Sequence, residues 1–98
     1  MPPGPTIADG IAVDRPGDLP FTIIREMVDD VVTVTEDHLR QAVKLLAGRA
    51  KLVTEGAGAA PLAAILGGAV RFDDRRRVLV LSGGNIDPET LAAILNQE

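Results

Sequence analysis

The strongest periodic signal in the chain lies between Leu39 and Ala50. Leu39, Ala42, Val43, Leu46 and Ala50 stand at i, i+3, i+4, i+7 and i+11, the spacing that lines apolar side chains along one face of an α-helix. Thr35 precedes the run as an N-cap, and Glu36 and Asp37 fall in the first turn, where carboxylates meet the positive end of the helix dipole. A second stripe of Phe21, Ile24, Met27 and Val28 predicts a helix over 21–28, after a turn at Arg15-Pro16-Gly17-Asp18. Asp29-Asp30 closes that helix, and Val31-Val32-Thr33-Val34 reads as a short buried strand.

The remaining segments differ in character. Met1 to Pro5 is an irregular lead-in of three prolines and a glycine. Ile7 to Val13 carries β-branched residues broken by Asp9-Gly10, which predicts a short extended piece with a turn inside it. Glu55-Gly56-Ala57-Gly58-Ala59-Ala60 is almost free of side chains. A helix over Ala60 to Leu66 follows, apolar on every side, with Pro61 tolerated in its first turn. Gly67-Gly68 ends it, and Phe72-Asp73-Asp74 is a loop. Val78 to Leu81 is an unbroken aliphatic strand of the kind found inside parallel sheets. Asp87 and Pro88 then set an N-cap and a first helical position for a last helix over Glu89 to Asn96. The order (β)αβααβα defines an α/β chain. Two firm strands are too few for a free-standing sheet, so the expectation is a partial three-layer arrangement, a parallel sheet with helices on both faces belonging to something larger.

Composition narrows the chemistry. The chain has 98 residues, enough for one domain, with 46% apolar but only 2% aromatic residues. Its core must therefore be built from Ala, Val, Leu and Ile. It has no cysteine, which excludes disulfides and thiolate metal sites and makes a reducing cytoplasm the simplest compartment. The N-terminus is not patterned as a signal peptide. No run approaches the roughly 18 apolar residues a membrane span needs. A net charge of −4, without a basic face or stacking aromatics, argues against nucleic acid as a partner. No metal-ligand spacing is present.

Ser82 is the principal candidate. It ends a buried strand and precedes Gly83-Gly84-Asn85 and a helix start, and ligands in open α/β sheets bind at that edge. Two readings stand: a hydroxyl aimed at a ligand that the glycines admit, or a strand-to-helix turn in which Ser82 satisfies local backbone. A nucleophilic role is disfavoured, because the sequence is not G-x-S-x-G and His38, the single histidine, reads as a solvated helix residue. The Glu55 segment offers either close helix packing through small residues or an anion cradle, though the carboxylate opposes a phosphate. Glu55 is the lone charge in an apolar stretch, and such carboxylates are rare unless paired or functional. Asp29-Asp30 is a helix-to-strand turn, and Arg75-Arg76-Arg77 a solvated loop protecting a sheet edge.

Five segments together resemble one family. They are Thr6-Ile7-Ala8-Asp9-Gly10; Ile24-Arg25-Glu26 through Val28-Asp29-Asp30-Val31; Val34-Thr35-Glu36-Asp37; Lys51-Leu52-Val53-Thr54-Glu55-Gly56-Ala57-Gly58-Ala59; and Leu81-Ser82-Gly83-Gly84-Asn85-Ile86-Asp87. In order and spacing they are similar to the serine/threonine dehydratases (threonine ammonia-lyases), pyridoxal-phosphate enzymes of the tryptophan-synthase-β fold, fold type II. The resemblance implies that residues 1–98 are the C-terminal segment of a catalytic region, not a complete unit. It implies pyridoxal 5'-phosphate as the cofactor of the complete enzyme, L-threonine or L-serine as substrate, and loss of a β-hydroxyl to give a 2-oxo acid and ammonia. Ser82 matches the serine that hydrogen-bonds the pyridine nitrogen, Gly10 a glycine whose backbone lies beside the cofactor, and Glu55 a carboxylate near the ring. Gly83, Gly84 and Asn85 match the loop that carries Ser82 to the ring. The family's Schiff-base lysine and phosphate-binding glycines have no match here, and neither Lys44 nor Lys51 fits the lysine motif. No catalytic residue is therefore expected in this segment, which should be inactive without the N-terminal remainder as its partner. The complete enzyme is expected to be a homo-oligomer. The alternative is a non-catalytic packing or oligomerisation module that keeps the fold fragment.

Overall fold

A computed structural model of the chain describes residues 4–71, 73 and 75–97. The expectations for Met1 to Pro3, Phe72 and Asp74 lie outside the described residues. Four α-helices organise the remainder: α1 (Asp18–Met27), α2 (Glu36–Leu45), α3 (Ala60–Leu66) and α4 (Pro88–Leu95). Single 3-10 turns at Asp9–Ile11 and Ala57–Ala59 flank them.

Helix α2 is the centre of the core, as its stripe requires. Leu39, Ala42, Val43 and Leu46 are buried with Ala8, Ala59, Ala63 and Ile94. Ala42, Ala59 and Ala63 are wholly buried, and their small side chains bring α2 and the start of α3 close together. Ile94 of α4 and Val43 are the largest fully buried side chains. Thr35 caps α2: its hydroxyl accepts the His38 N–H at 3.1 Å. The helix continues as a π-turn over Leu46–Ala50, whose wider winding carries Ala50 off the apolar stripe, so that it is exposed and not buried as the spacing predicts. Lys51 closes the turn at φ 59°, and its ammonium donates to the Gly48 carbonyl at 2.7 Å.

Three other expectations are corrected. Helix α1 begins at Asp18, three residues before Phe21, because Pro20 falls in the first turn, where a missing N–H loses no helical bond. Every residue of α1 is exposed, and it packs against none of the other helices among the described residues. Its apolar stripe is real but uncovered. Helix α3 is not buried all round: Ala63 and Ala64 are buried, whereas Leu66 is exposed. His38 is not fully solvated, because Gly67 has no side chain and leaves room for the imidazole; a methyl built there would lie 2.8 Å from Nδ1.

The sheet is the largest difference. No strand forms among the described residues, and Ile7 to Val13 contains a 3-10 turn. Val31, Val78 and Val80 are 76%, 91% and 71% exposed. A strand exists only through a ladder to a neighbour, and among the described residues 31–34 and 78–81 have none. A single backbone bond, from the Glu55 N–H to the Gly83 carbonyl at 3.0 Å, joins two of the segments expected near the sheet. Pro61 sits in the first turn of α3 and Asp87 caps α4, its carboxylate accepting the Glu89 N–H at 3.4 Å, both as the sequence predicts.

Candidate functional site

Three irregular segments meet at one edge of the core: Thr6 to Ile11, Val53 to Gly58, and Ser82 to Asn85. Backbone, not side chain, brings them together, and glycine is what permits it. A methyl on Gly56 would lie 2.6 Å from the Ile7 carbonyl carbon, and one on Gly58 would lie 2.7 Å from the Ser82 carbonyl carbon. Neither backbone could retreat without dismantling the junction. These two glycines, not singled out in the sequence as site residues, seat the first and third segments on the second. Their spacing before a helix was the available signal.

Glu55 is central. Its N–H binds Gly83, while its carboxylate spreads over the α-carbon of Gly83, where a methyl would lie 2.6 Å from Cδ. Gly83 has φ 76°, the left-handed region that favours glycine. On the other side, a methyl on Gly10 would lie 3.3 Å from Ala57 Cβ and 4.0 Å from Glu55 Oε2. Gly84 faces the Val53 carbonyl, and a methyl there would be 3.4 Å away. The room over Gly83 and Gly84 is thus taken by the chain's own Val53 and Glu55. Asn85 lines a polar hollow of about 210 Å³ together with Glu55, Gly56, Thr6, Asp9 and Asp87. All six residues singled out in the sequence, Gly10, Glu55, Ser82, Gly83, Gly84 and Asn85, therefore belong to one neighbourhood.

Ser82 is exposed, yet its carbonyl is seated on Gly58. The backbone is fixed and a neutral hydroxyl stays accessible. A serine hydroxyl is uncharged and can give one hydrogen bond to a neutral ring nitrogen. Thr54, immediately before Glu55, is 5% exposed, and its hydroxyl has no hydrogen-bond partner. The lysines lie elsewhere: Lys44 donates to the Gln97 carbonyl and Lys51 to Gly48. Asp30 accepts the Val31 N–H at 2.8 Å in an exposed turn, and Arg77 pairs with Asp73 at 3.0 Å. Among the described residues, no group of three or more His, Cys, Asp and Glu side chains could hold a metal ion. No helix among them is long and apolar enough to cross a membrane.

One contact had no sequence signal. The Glu36 carboxylate, in the first turn of α2, accepts the Thr6 hydroxyl at one oxygen and the Ile7 N–H, 3.1 Å away, at the other. Only tertiary structure can pair residues thirty positions apart.

The chain belongs to the family of pyridoxal-phosphate dependent enzymes, which matches residues 1–84. Within it, the chain is 49% identical over 92 residues to an L-threonine ammonia-lyase of Geobacter sulfurreducens, covering 94% of this chain and 23% of that protein. It is 47% identical over 91 residues to the catabolic L-threonine dehydratase of Escherichia coli K12, covering 91% of this chain and 28% of the relative. The structure is similar, with a TM-score of 0.81 and 33% identity, to a pyridoxal 5'-phosphate-dependent aspartate racemase, covering 91% of this chain and 29% of that one. The chain thus spans about a quarter of the length of the relatives it matches.

Proposed function

We propose that residues 1–98 are the C-terminal part of the catalytic region of a pyridoxal-phosphate dependent ammonia-lyase acting on L-threonine or L-serine. The observation that carries this reading is Ser82, an accessible neutral hydroxyl on a backbone seated by Gly58 and adjoining the Glu55–Gly83 contact. Similarity to threonine ammonia-lyases supports the substrate class. Similarity to a racemase as well supports a narrower role for this segment, the cofactor side that both reactions share.

In this reading Ser82 would give a hydrogen bond from its hydroxyl to the pyridine nitrogen, and Gly10 and Glu55 would help to hold the cofactor. Gly83, Gly84 and Asn85 hold Ser82 in place. When bound, the cofactor supplies an electron sink for α-proton removal and loss of the β-hydroxyl. A hydroxyl, unlike a carboxylate, leaves the pyridine nitrogen unprotonated, which moderates that sink. The upstream remainder, carrying the lysine and the phosphate-binding glycines, pairs with 78–81 to complete the sheet, and the complete enzyme self-associates.

The test combines this chain with a separately made upstream part and pyridoxal phosphate. Cofactor absorbance in the visible and 2-oxo acid formation from threonine or serine are expected, and Ser82→Ala should abolish most turnover while the fold persists. Neither absorbance nor product in the wild-type mixture would end the reading. The exposed apolar Val78 and Val80 also suit a second one, a non-catalytic packing module; that module would associate with the upstream part and leave the cofactor untouched.

A further inference from the structure

Helix α2 has its cap and a first-turn carboxylate apart from Glu36. Thr35 already caps α2, and Asp37 already places a carboxylate in the first turn. Glu36 turns away from those tasks and takes the Thr6 hydroxyl and the Ile7 N–H on its two oxygens. The Thr6 hydroxyl oxygen in turn accepts the Ala8 N–H at 3.0 Å, so Thr6 links the carboxylate to the backbone beyond it. Ile7 is then gripped from two sides, its N–H by Glu36 and its carbonyl by the bare α-carbon of Gly56. Ala8, only 3% exposed, is part of the core. The 3-10 turn at Asp9–Ile11 follows directly and sets Gly10 against Ala57 and Glu55.

We infer that Glu36 is a positioning residue: a carboxylate strap that fixes Thr6 to Ala8, and through them Gly10, against the Glu55–Gly58 turn. Hydrogen bonds to an ionised carboxylate are about twice as strong as neutral ones, and two at once set direction as well as distance. Glu36 touches neither Gly10 nor Ser82 and acts through the segment it holds. The role in cofactor placement rests on the reading of the Gly10–Glu55–Ser82 cluster given above, whereas the strap itself does not.

Amide hydrogen exchange separates the two. In this chain Glu36→Ala should speed exchange at Ile7 by about tenfold or more, the loss expected for a bond to a charged acceptor. Ala42, inside α2, should keep its wild-type rate. Thr6→Val should act in the same direction, and the double variant should exchange no faster at Ile7 than Glu36→Ala alone. Glu36→Gln, which keeps an acceptor for the Ile7 N–H, should recover part of the protection. An Ile7 amide unprotected in the wild type, unchanged in Glu36→Ala, or accelerated in equal proportion with Ala42 would overturn the strap.

The second readout is pyridoxal phosphate absorbance in the chain combined with its upstream part. Glu36→Ala should raise the concentration of cofactor needed for half saturation about tenfold, with Glu36→Gln between it and wild type. If Ser82→Ala leaves the absorbance unaltered while Glu36→Ala still frees Ile7, the cofactor reading fails and the strap stands. If Ser82→Ala alters the absorbance and Glu36→Ala does not change saturation, the positioning role fails.

Discussion

The carboxylate of Glu55 rests on the α-carbon of Gly83, and the same two residues share a 3.0 Å backbone hydrogen bond. Twenty-eight positions apart in sequence, they touch through main chain and side chain at once. One residue's lack of a side chain makes room for the other's charge, and Ser82 is the neighbour of that contact.

Gly83→Ala tests this contact. A left-handed φ costs a residue with a side chain about 1–2 kcal/mol, and the new methyl must also push Glu55 aside. Denaturant unfolding should show a loss of at least that size. Adding Glu55→Ala should recover the steric part only, because φ 76° at position 83 is unchanged. Full recovery in the double variant would show that backbone conformation contributes nothing there.

Gly58→Ala should be the more damaging substitution. The group it meets is the Ser82 backbone, which cannot swing away as the end of a glutamate can. We expect a lower unfolding midpoint than for Gly83→Ala, and loss of whatever depends on the placement of Ser82. A variant as stable as wild type would place Ser82 off this glycine.

Thr35→Ala removes the cap of α2. The expected loss is about 1 kcal/mol, read by thermal or denaturant unfolding, with Thr35→Ser largely restoring it. The hydroxyl also lies 2.8 Å from His38 Nδ1, so the imidazole proton shifts seen by NMR should move in Thr35→Ala and not in Thr35→Ser.

Thr54→Val exchanges a buried, unpartnered hydroxyl for a methyl of nearly equal size. Desolvating a hydroxyl without compensation costs about 1–3 kcal/mol. Stability should therefore hold or rise by up to about that amount. A clear fall would mean that the hydroxyl has a hydrogen-bond partner in the folded chain.

Core and surface should separate sharply. Ile94→Ala removes a side chain that is 0% exposed and should cost about 2–4 kcal/mol, a large fraction of the stability of so small a core. Val78→Ala, at a site 91% exposed, should change the stability of this chain by less than about 0.5 kcal/mol. The same change should weaken association with the upstream part if 78–81 is the strand that part completes.

Helix α2 was legible because periodicity is a local code. Leu39, Ala42, Val43 and Leu46 share a face whatever surrounds them, and that face is the core. The caps at Thr35 and Asp87 and the proline of α3 were legible for the same reason, since each acts within one turn. Whether 31–34 and 78–81 form strands is not decided locally. Aliphatic composition permits a strand, but only a paired neighbour makes one, and among the described residues neither segment has one. At the site, the motif order singled out Gly10, Glu55, Ser82, Gly83, Gly84 and Asn85. It did not disclose that Glu55 fills the space over Gly83, or that Gly56 and Gly58 carry the backbone contacts.

Periodicity, capping and motif register in the sequence were enough to define α2 and its cap, the proline of α3, the cap and proline of α4, the aliphatic core, and membership in the family. Which distant atoms meet depends on the folded chain path. Glu36 reaches Thr6 and Ile7, Gly58 receives the Ser82 carbonyl, and Gly83 lies beneath Glu55. The reason is physical. Helix periodicity and capping act over three or four residues, whereas the close approach of two backbones depends on a whole chain path and on the glycines that leave it room.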